Sequence, residues 1–246
     1  MKIQNLAFMV TVFLVFILLA ATYKPKTVVQ TQVINIPTTQ TINENRSRVS
    51  LIIPAVDERG EGITTTLVAE IRPGTGKAMV DVNQLLFWVD TQYSIQVAKQ
   101  VAEKVTHTNL TNFDLIYTIE TNASVIGGPS AGATLTIATI ALILGKDVNR
   151  SVAMTGTINE DGTIGQVGSV VEKAKAAKEA GATLFLVPAG QSFQKYYKPE
   201  QKCEKLKFWT ICTTEYKVET VNVSEVGIDV VEVHDIQEAM KYFLVG

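Results

Sequence analysis

Two residues in this chain of 246 amino acids pair a reactive side chain with surroundings that would activate it. The first is Ser130, within Gly127-Gly128-Pro129-Ser130-Ala131-Gly132-Ala133. Glycines let the backbone turn sharply and let a substrate carbonyl come close. Pro129 suits a first helical turn. Ser130 would then sit at a helix N-terminus, where free N–H groups and the helix dipole stabilise an oxyanion. A plain N-cap serine suits the same position, and these residues alone leave both roles open. The second is Lys173, within Val171-Glu172-Lys173-Ala174-Lys175-Ala176-Ala177-Lys178. A lysine buried among small apolar neighbours, beside a positive helix end, loses basicity on both counts. A base poised near neutrality could take the proton of a serine. Lys175 and Lys178 read as solvated.

Composition narrows the chemistry. The only histidines are His107 and His234, so a Ser-His-Asp triad has few candidates. Two histidines and two cysteines give no metal cluster, and neither metal nor cofactor is expected. A net charge of −2 and a pI near 5.8 provide no broad basic surface, so nucleic acid is not an expected partner. Arg72-Pro73-Gly74-Thr75-Gly76-Lys77-Ala78 fails as a phosphate loop, because Ile71 and Ala78 stand where Gly and Ser/Thr are needed. Gly162, Gly165 and Gly168 follow a hairpin signal rather than opening a helix after a strand, so they do not read as a dinucleotide site.

The elements that must position Ser130 and Lys173 follow from periodicity. Strands are predicted at Val49–Val56, Thr64–Arg72, Ala78–Val82 and Phe113–Ile119. Ile95, Ala98, Val101, Ala102 and Val105 share one helical face, with Asp90 or Thr91 as N-cap. Ala131–Leu144 reads as a compact apolar helix ending at Gly145. Val152–Ile158 and Thr163–Val167 flank the turn Asn159-Glu160-Asp161-Gly162. Val170–Ala180 is a helix before Gly181, and Thr183–Val187 a strand before Pro188. Val230–Val233 is a last strand, and Asp235 caps a last helix to Phe243. Residues 192–224 look inserted, aromatic and lysine-rich, and hold Cys203 and Cys212, which could staple a hairpin. The alternation predicts one α/β (α+β mixed) domain over 48–246, with no internal repeat.

The N-terminus reads differently. The 21 residues between Lys2 and Lys24 carry no charge and are mostly apolar. As a helix they would span roughly 30 Å, enough for a bilayer. Residues 1–24 are therefore expected to be a single transmembrane anchor, with a cleaved signal peptide as the alternative. Residues 25–47 read as a polar tether, with an edge strand possible at Val28–Ile36. Five N-x-S/T sequons, at Asn45, Asn109, Asn122, Asn149 and Asn222, favour an extracytoplasmic domain.

Gly128-Pro129-Ser130-Ala131-Gly132, Ala153-Met154-Thr155-Gly156-Thr157-Ile158, Asp161-Gly162-Thr163-Ile164, Val167-Gly168, Glu172-Lys173 and Ala176-Ala177 closely resemble, in order and spacing, the proteolytic domain of Lon proteases. The resemblance covers roughly residues 50–246 and is best at 126–190. It implies a Lon-type fold and a serine–lysine dyad, with Ser130 the nucleophile and Lys173 the general base. It places Thr155 close enough to hydrogen-bond and orient the lysine, with Gly128 in support, and it implies a homo-oligomer. The sequence departs from the family at Gly127, where many members carry an acidic residue, and at Ile116 and Thr118, in the stretch where some carry histidines. Residues 192–224 are also unlike the usual compact ending. In place of the family's ATP-driven unfoldase stand the apolar segment and tether. The expectation is a membrane-anchored, ATP-independent serine endopeptidase acting on unfolded proteins or peptides. The alternatives are a catalytically silent scaffold and a peptidase subunit served by a separate unfoldase.

Overall fold

The alternating run after Arg48 forms β1 (Arg48–Val56) in the computed structural model, which describes residues 47–81, 89–120, 128–205 and 207–245. All of these lie within one compact unit, 39–246. The expected anchor, the tether up to residue 46 and the strand at Val28–Ile36 fall outside the described residues. Among the described residues no helix is long and apolar enough to cross a membrane.

β1 turns at Asp57, whose carboxylate accepts from the amides of Arg59 and Glu61, and pairs antiparallel with β2 (Gly62–Pro73). β4 (Phe113–Glu120) pairs antiparallel with β2, and β3 (Ala78–Val80) runs parallel to β4. The sheet order is β1-β2-β4-β3. The turn that resembled a phosphate loop is committed elsewhere. Its Thr75 and Lys77 amides both donate to the Asp114 carboxylate at 2.8 Å, which holds that carboxyl below the usual range.

Helix α1 spans Val89–Thr106. It starts one residue before the expected cap, so Asp90 lies in its first turn and favours the positive end of the helix. α2 (Gly132–Leu144) ends before Gly145 as its pattern predicts. Every residue from Gly132 to Ile143 is buried, which explains why its sequence has no polar face. Its threonines satisfy themselves within the fold: Thr136 donates to the Gly132 carbonyl, Thr139 to the Leu135 carbonyl, and Thr139 also meets the Tyr117 hydroxyl at 2.7 Å.

The run Val152–Ile158 is not one strand. β6 (Val152–Met154) joins a parallel sheet with β9 (Leu184–Pro188) and β12 (Asp229–Val233), in the order β12-β9-β6. β7 (Thr157–Ile158) pairs instead with β8 (Ile164–Gly165), shorter than the expected Thr163–Val167. The chain changes partner at Thr155-Gly156. β5 (Asp147–Val148) pairs with β13 (Leu244–Val245), an element the sequence did not announce. α4 (Ile236–Phe243) is capped by Asp235, which accepts from the Glu238 amide at 2.9 Å. The asparagines of three sequons, Asn109, Asn149 and Asn222, each accept from the amide two residues on, so the motif doubles as an Asx turn at each place.

Residues 192–224 form a long antiparallel hairpin, β10 (Phe193–Lys205) and β11 (Thr210–Asn222). Cys203 lies opposite Cys212, and the two are joined by a disulfide. The described residues therefore have mixed α/β architecture with two cores. One packs α1 and α2 on Leu51, Leu67, Leu115 and their neighbours. The other packs α3 (Val170–Glu179) on Phe185, Val187, Val223 and Ile228.

α3 also rests on β1 and β2. At Gly62 the approach is so close that a Cβ would lie 2.1 Å from the Glu172 carbonyl oxygen. Glu172 is backbone there and cannot swing aside, so Gly62→Ala should destabilise the chain by about 2–3 kcal/mol through overpacking. Urea unfolding measures this; an unchanged midpoint would show that α3 does not press on β2 as described.

Candidate active site

Ser130 is placed by a short 3-10 turn, Pro129–Ala131, that runs directly into α2. Gly128 precedes it with φ +108, a backbone conformation that glycine adopts without strain. No side chain caps either helical start, and the N-cap of α2 is Ala131. The Ser130 hydroxyl is thus not spent as a cap, and it hydrogen-bonds to none of the described residues.

The serine backbone is held firmly. Its carbonyl accepts from the Gly156 amide at 2.9 Å, and the Gly156 carbonyl accepts in turn from the Ala133 amide at 3.1 Å. The Thr155 hydroxyl donates to the same Ser130 carbonyl over a long 3.5 Å. The partner change between β6 and β7 therefore has a use: it turns the Thr155 hydroxyl and the Gly156 amide onto the Ser130 carbonyl, which they clasp. Thr155 itself is buried, with its amide on the Leu186 carbonyl.

Lys173 lies in the first turn of α3, where its amide donates to the Ser169 carbonyl at 3.1 Å. It is only 5% exposed, among buried Val170, Val171, Ala174, Ala176 and Ala177. Burial pulls its pKa from 10.5 down to about 8, partly opposed by the neighbouring Glu172 carboxylate. Among the described residues none accepts a hydrogen bond from its ammonium. Lys175 and Lys178 are exposed, as expected, and Lys178 donates to the Val226 carbonyl. The structure thus joins Ser130 to Thr155 and Gly156, and it does not join Lys173 to Ser130 or Thr155 by a hydrogen bond. The hydrogen bond that the Thr155 hydroxyl makes among the described residues goes to the Ser130 carbonyl.

Two residues that sequence reasoning missed hold the lysine helix. Ser169, the N-cap, sits at φ +56 and offers no side-chain cap. Gln194, from the base of the hairpin, supplies it instead: its Oε1 accepts from the Val171 amide at 2.9 Å. The Tyr196 hydroxyl donates to Glu172 Oε1 at 2.8 Å, and Gln194 Nε2 reaches Glu172 Oε2 at 3.5 Å. Burial, and then the Glu172 carboxylate, push the Tyr196 phenol pKa up. The one available signal was the intermediate polarity of Gln194 and Tyr196 in a strand otherwise read as an insertion. Among the described residues no three His, Cys, Asp or Glu side chains gather as a metal site.

A buried lysine with lowered basicity costs stability. Between about pH 8 and 10.5 the unfolded chain binds a proton that the native chain does not, so native stability falls as pH drops through that window. Lys173→Met should therefore stabilise the chain at pH 7 by up to about 3 kcal/mol, a gain that shrinks as pH approaches 10.5. Thermal unfolding at two pH values measures it; a loss of stability at pH 7 would contradict the described burial.

The Lon protease (S16) C-terminal proteolytic domain model matches residues 76–223, more than half of the chain. A Lon protease of Methanosarcina barkeri is 33% identical over 119 residues, 48% of this chain and 15% of that protein. The human mitochondrial Lon protease homolog is 45% identical over 62 residues, 25% of this chain and 6% of that protein. A Lon protease of Methylocella silvestris is 40% identical over 81 residues, 33% of this chain and 10% of that protein. The matched part is thus a small fraction of each relative's length. The chain belongs to the Lon protease (S16) C-terminal proteolytic domain family, a family of serine-type endopeptidase domains.

Proposed function

We propose that this chain is an ATP-independent serine endopeptidase in which Ser130 is the nucleophile and Lys173 the general base. The observation that carries this reading is the burial of Lys173, whose pKa falls to about 8 with no acceptor on its ammonium among the described residues. Such a lysine is substantially neutral near pH 8 and can accept a proton, whereas an ordinary surface lysine cannot. The Ser130 hydroxyl, without a hydrogen bond among the described residues and set at a clasped helical start, supports the other half. Bonds between a base and its nucleophile are often unformed without substrate and tighten when it binds.

In the proposed reaction neutral Lys173 takes the Ser130 proton as Oγ attacks the scissile carbonyl. Backbone N–H groups at this helical start, to which Pro129 contributes none, stabilise the developing oxyanion. The Lys173 ammonium then gives its proton to the leaving amine, an acyl-enzyme forms, and a water deprotonated by Lys173 releases the acid. Thr155 acts by fixing the serine turn. Cleavage without ATP goes with substrates that are already unfolded proteins or peptides. The apolar run before Lys24 supports a single-pass membrane anchor, and the Cys203–Cys212 bridge an oxidising, extracytoplasmic side. Family likeness supports a homo-oligomer.

Purified full-length chain should cleave a denatured protein at the same rate with and without ATP. Ser130→Ala and Lys173→Ala should each lower that rate by about a thousandfold or more. The kcat/KM of the wild type should rise about tenfold per pH unit up to about pH 8 and level above it, because only neutral Lys173 is the base. Wild-type activity in either variant, or a flat profile from about pH 6 to about pH 9, would overturn the dyad.

A further inference from the structure

The β10–β11 hairpin carries two unlike faces. Side chains alternate along a strand, and directly opposed residues share a face. The face holding Gln194, Tyr196 and Val221 turns toward the body at its base, where Tyr196 and Val221 pack on the core around α3. Farther out that face carries all four glutamates of the hairpin, Glu200, Glu204, Glu215 and Glu219. Two of them are paired on the ribbon itself, Glu219 with Lys198 and Glu215 with Lys202.

The opposite face has no carboxylate at all. Along it lie Phe193, Tyr197, Tyr216 and Val218, each more than half exposed. Its only charged groups are Lys195 and Lys205. The tip extends this chemistry: Lys207 stands beside Phe208, 89% exposed, and Trp209, 68% exposed. An aromatic strip this exposed needs an occupant. Its tyrosines and tryptophan have amphipathic rings suited to the water–hydrocarbon boundary, and cations without acids complement anionic headgroups.

We infer that this face and tip of the hairpin dock on a bilayer carrying anionic lipids, seating the domain against the membrane surface. The inference rests on the proposed anchor for proximity, since residues 1–24 and a tether of about 23 residues keep the domain within reach of the bilayer. It rests on the hairpin's own residues for chemistry. The base of the same hairpin caps the helix that carries Lys173, so docking would also steady the lysine helix.

The test uses the full-length chain in vesicles of phosphatidylcholine and phosphatidylglycerol. Flotation reports attachment of the chain. The fluorescence of Trp209, isolated by subtracting the Trp209→Phe variant, reports its surroundings. We expect brominated acyl chains to quench it about twofold or more, and iodide to reach it poorly. Replacing Lys195, Lys205 and Lys207 together with glutamate should halve that quenching or better, with flotation retained. A floating chain whose Trp209 stays open to iodide and unquenched by bromine overturns the inference and leaves the anchor standing. Shielding from iodide without quenching by bromine also overturns it, because the face is then covered by protein. A chain that does not float fails the anchor, which is scored apart from the quenching.

Discussion

A lysine buried to within 5% of its surface, whose ammonium finds no acceptor among the described residues, is the constraint around which this domain is arranged. Lys173 is held in the first turn of α3, among the buried side chains of Val170, Val171, Ala174 and Ala177. Desolvation there outweighs the adjacent Glu172 carboxylate and lowers the lysine's basicity. Keeping the ammonium in place requires a helix that cannot slide. Gly62 lets β2 press directly on the Glu172 backbone. From the other side Gln194 and Tyr196 bind the Val171 amide and the Glu172 carboxylate. Tyr196 also gives Glu172 a partner other than the lysine, so this neighbouring carboxylate is engaged elsewhere.

The serine half depends on a different device. α2 is buried on every side, so its start is fixed by the core rather than by a cap, and Ser130 need not lend its hydroxyl to the helix. The clasp at Thr155-Gly156 costs the chain a continuous strand: β6 must end, and the chain must change sheets, for Gly156 to reach the Ser130 carbonyl. Local regularity is given up at the place where the Ser130 turn is held, which is where functional sites commonly depart from the pattern of their sequence.

Much of this could be read from the chain. Alternation located β1, β2 and β4, the unbroken apolar run located α2, and Asp235 with Glu238 marked the start of α4. Ser130 and Lys173 stood out by neighbour chemistry. What escaped was decided by contacts far apart in sequence. Val152–Ile158 has strand propensity throughout, and only the competition between β9, β8 and the serine turn breaks it at Thr155. Asp90 looked like a cap because capping residues also favour a first turn. Gln194 and Tyr196 looked like part of an appendage, since their bonds to α3 span 22–24 residues and exist only once the hairpin folds back on the second core.

The central claim is that the fold keeps Lys173 substantially neutral near pH 8. Its titration can be followed directly by NMR of the full-length chain labelled with carbon-13 at lysine Cε, with the Lys173 signal assigned by its loss in Lys173→Met. The account predicts a midpoint at about 8, apart from the other lysines. A midpoint near 10.5, the ordinary value for lysine, would contradict it.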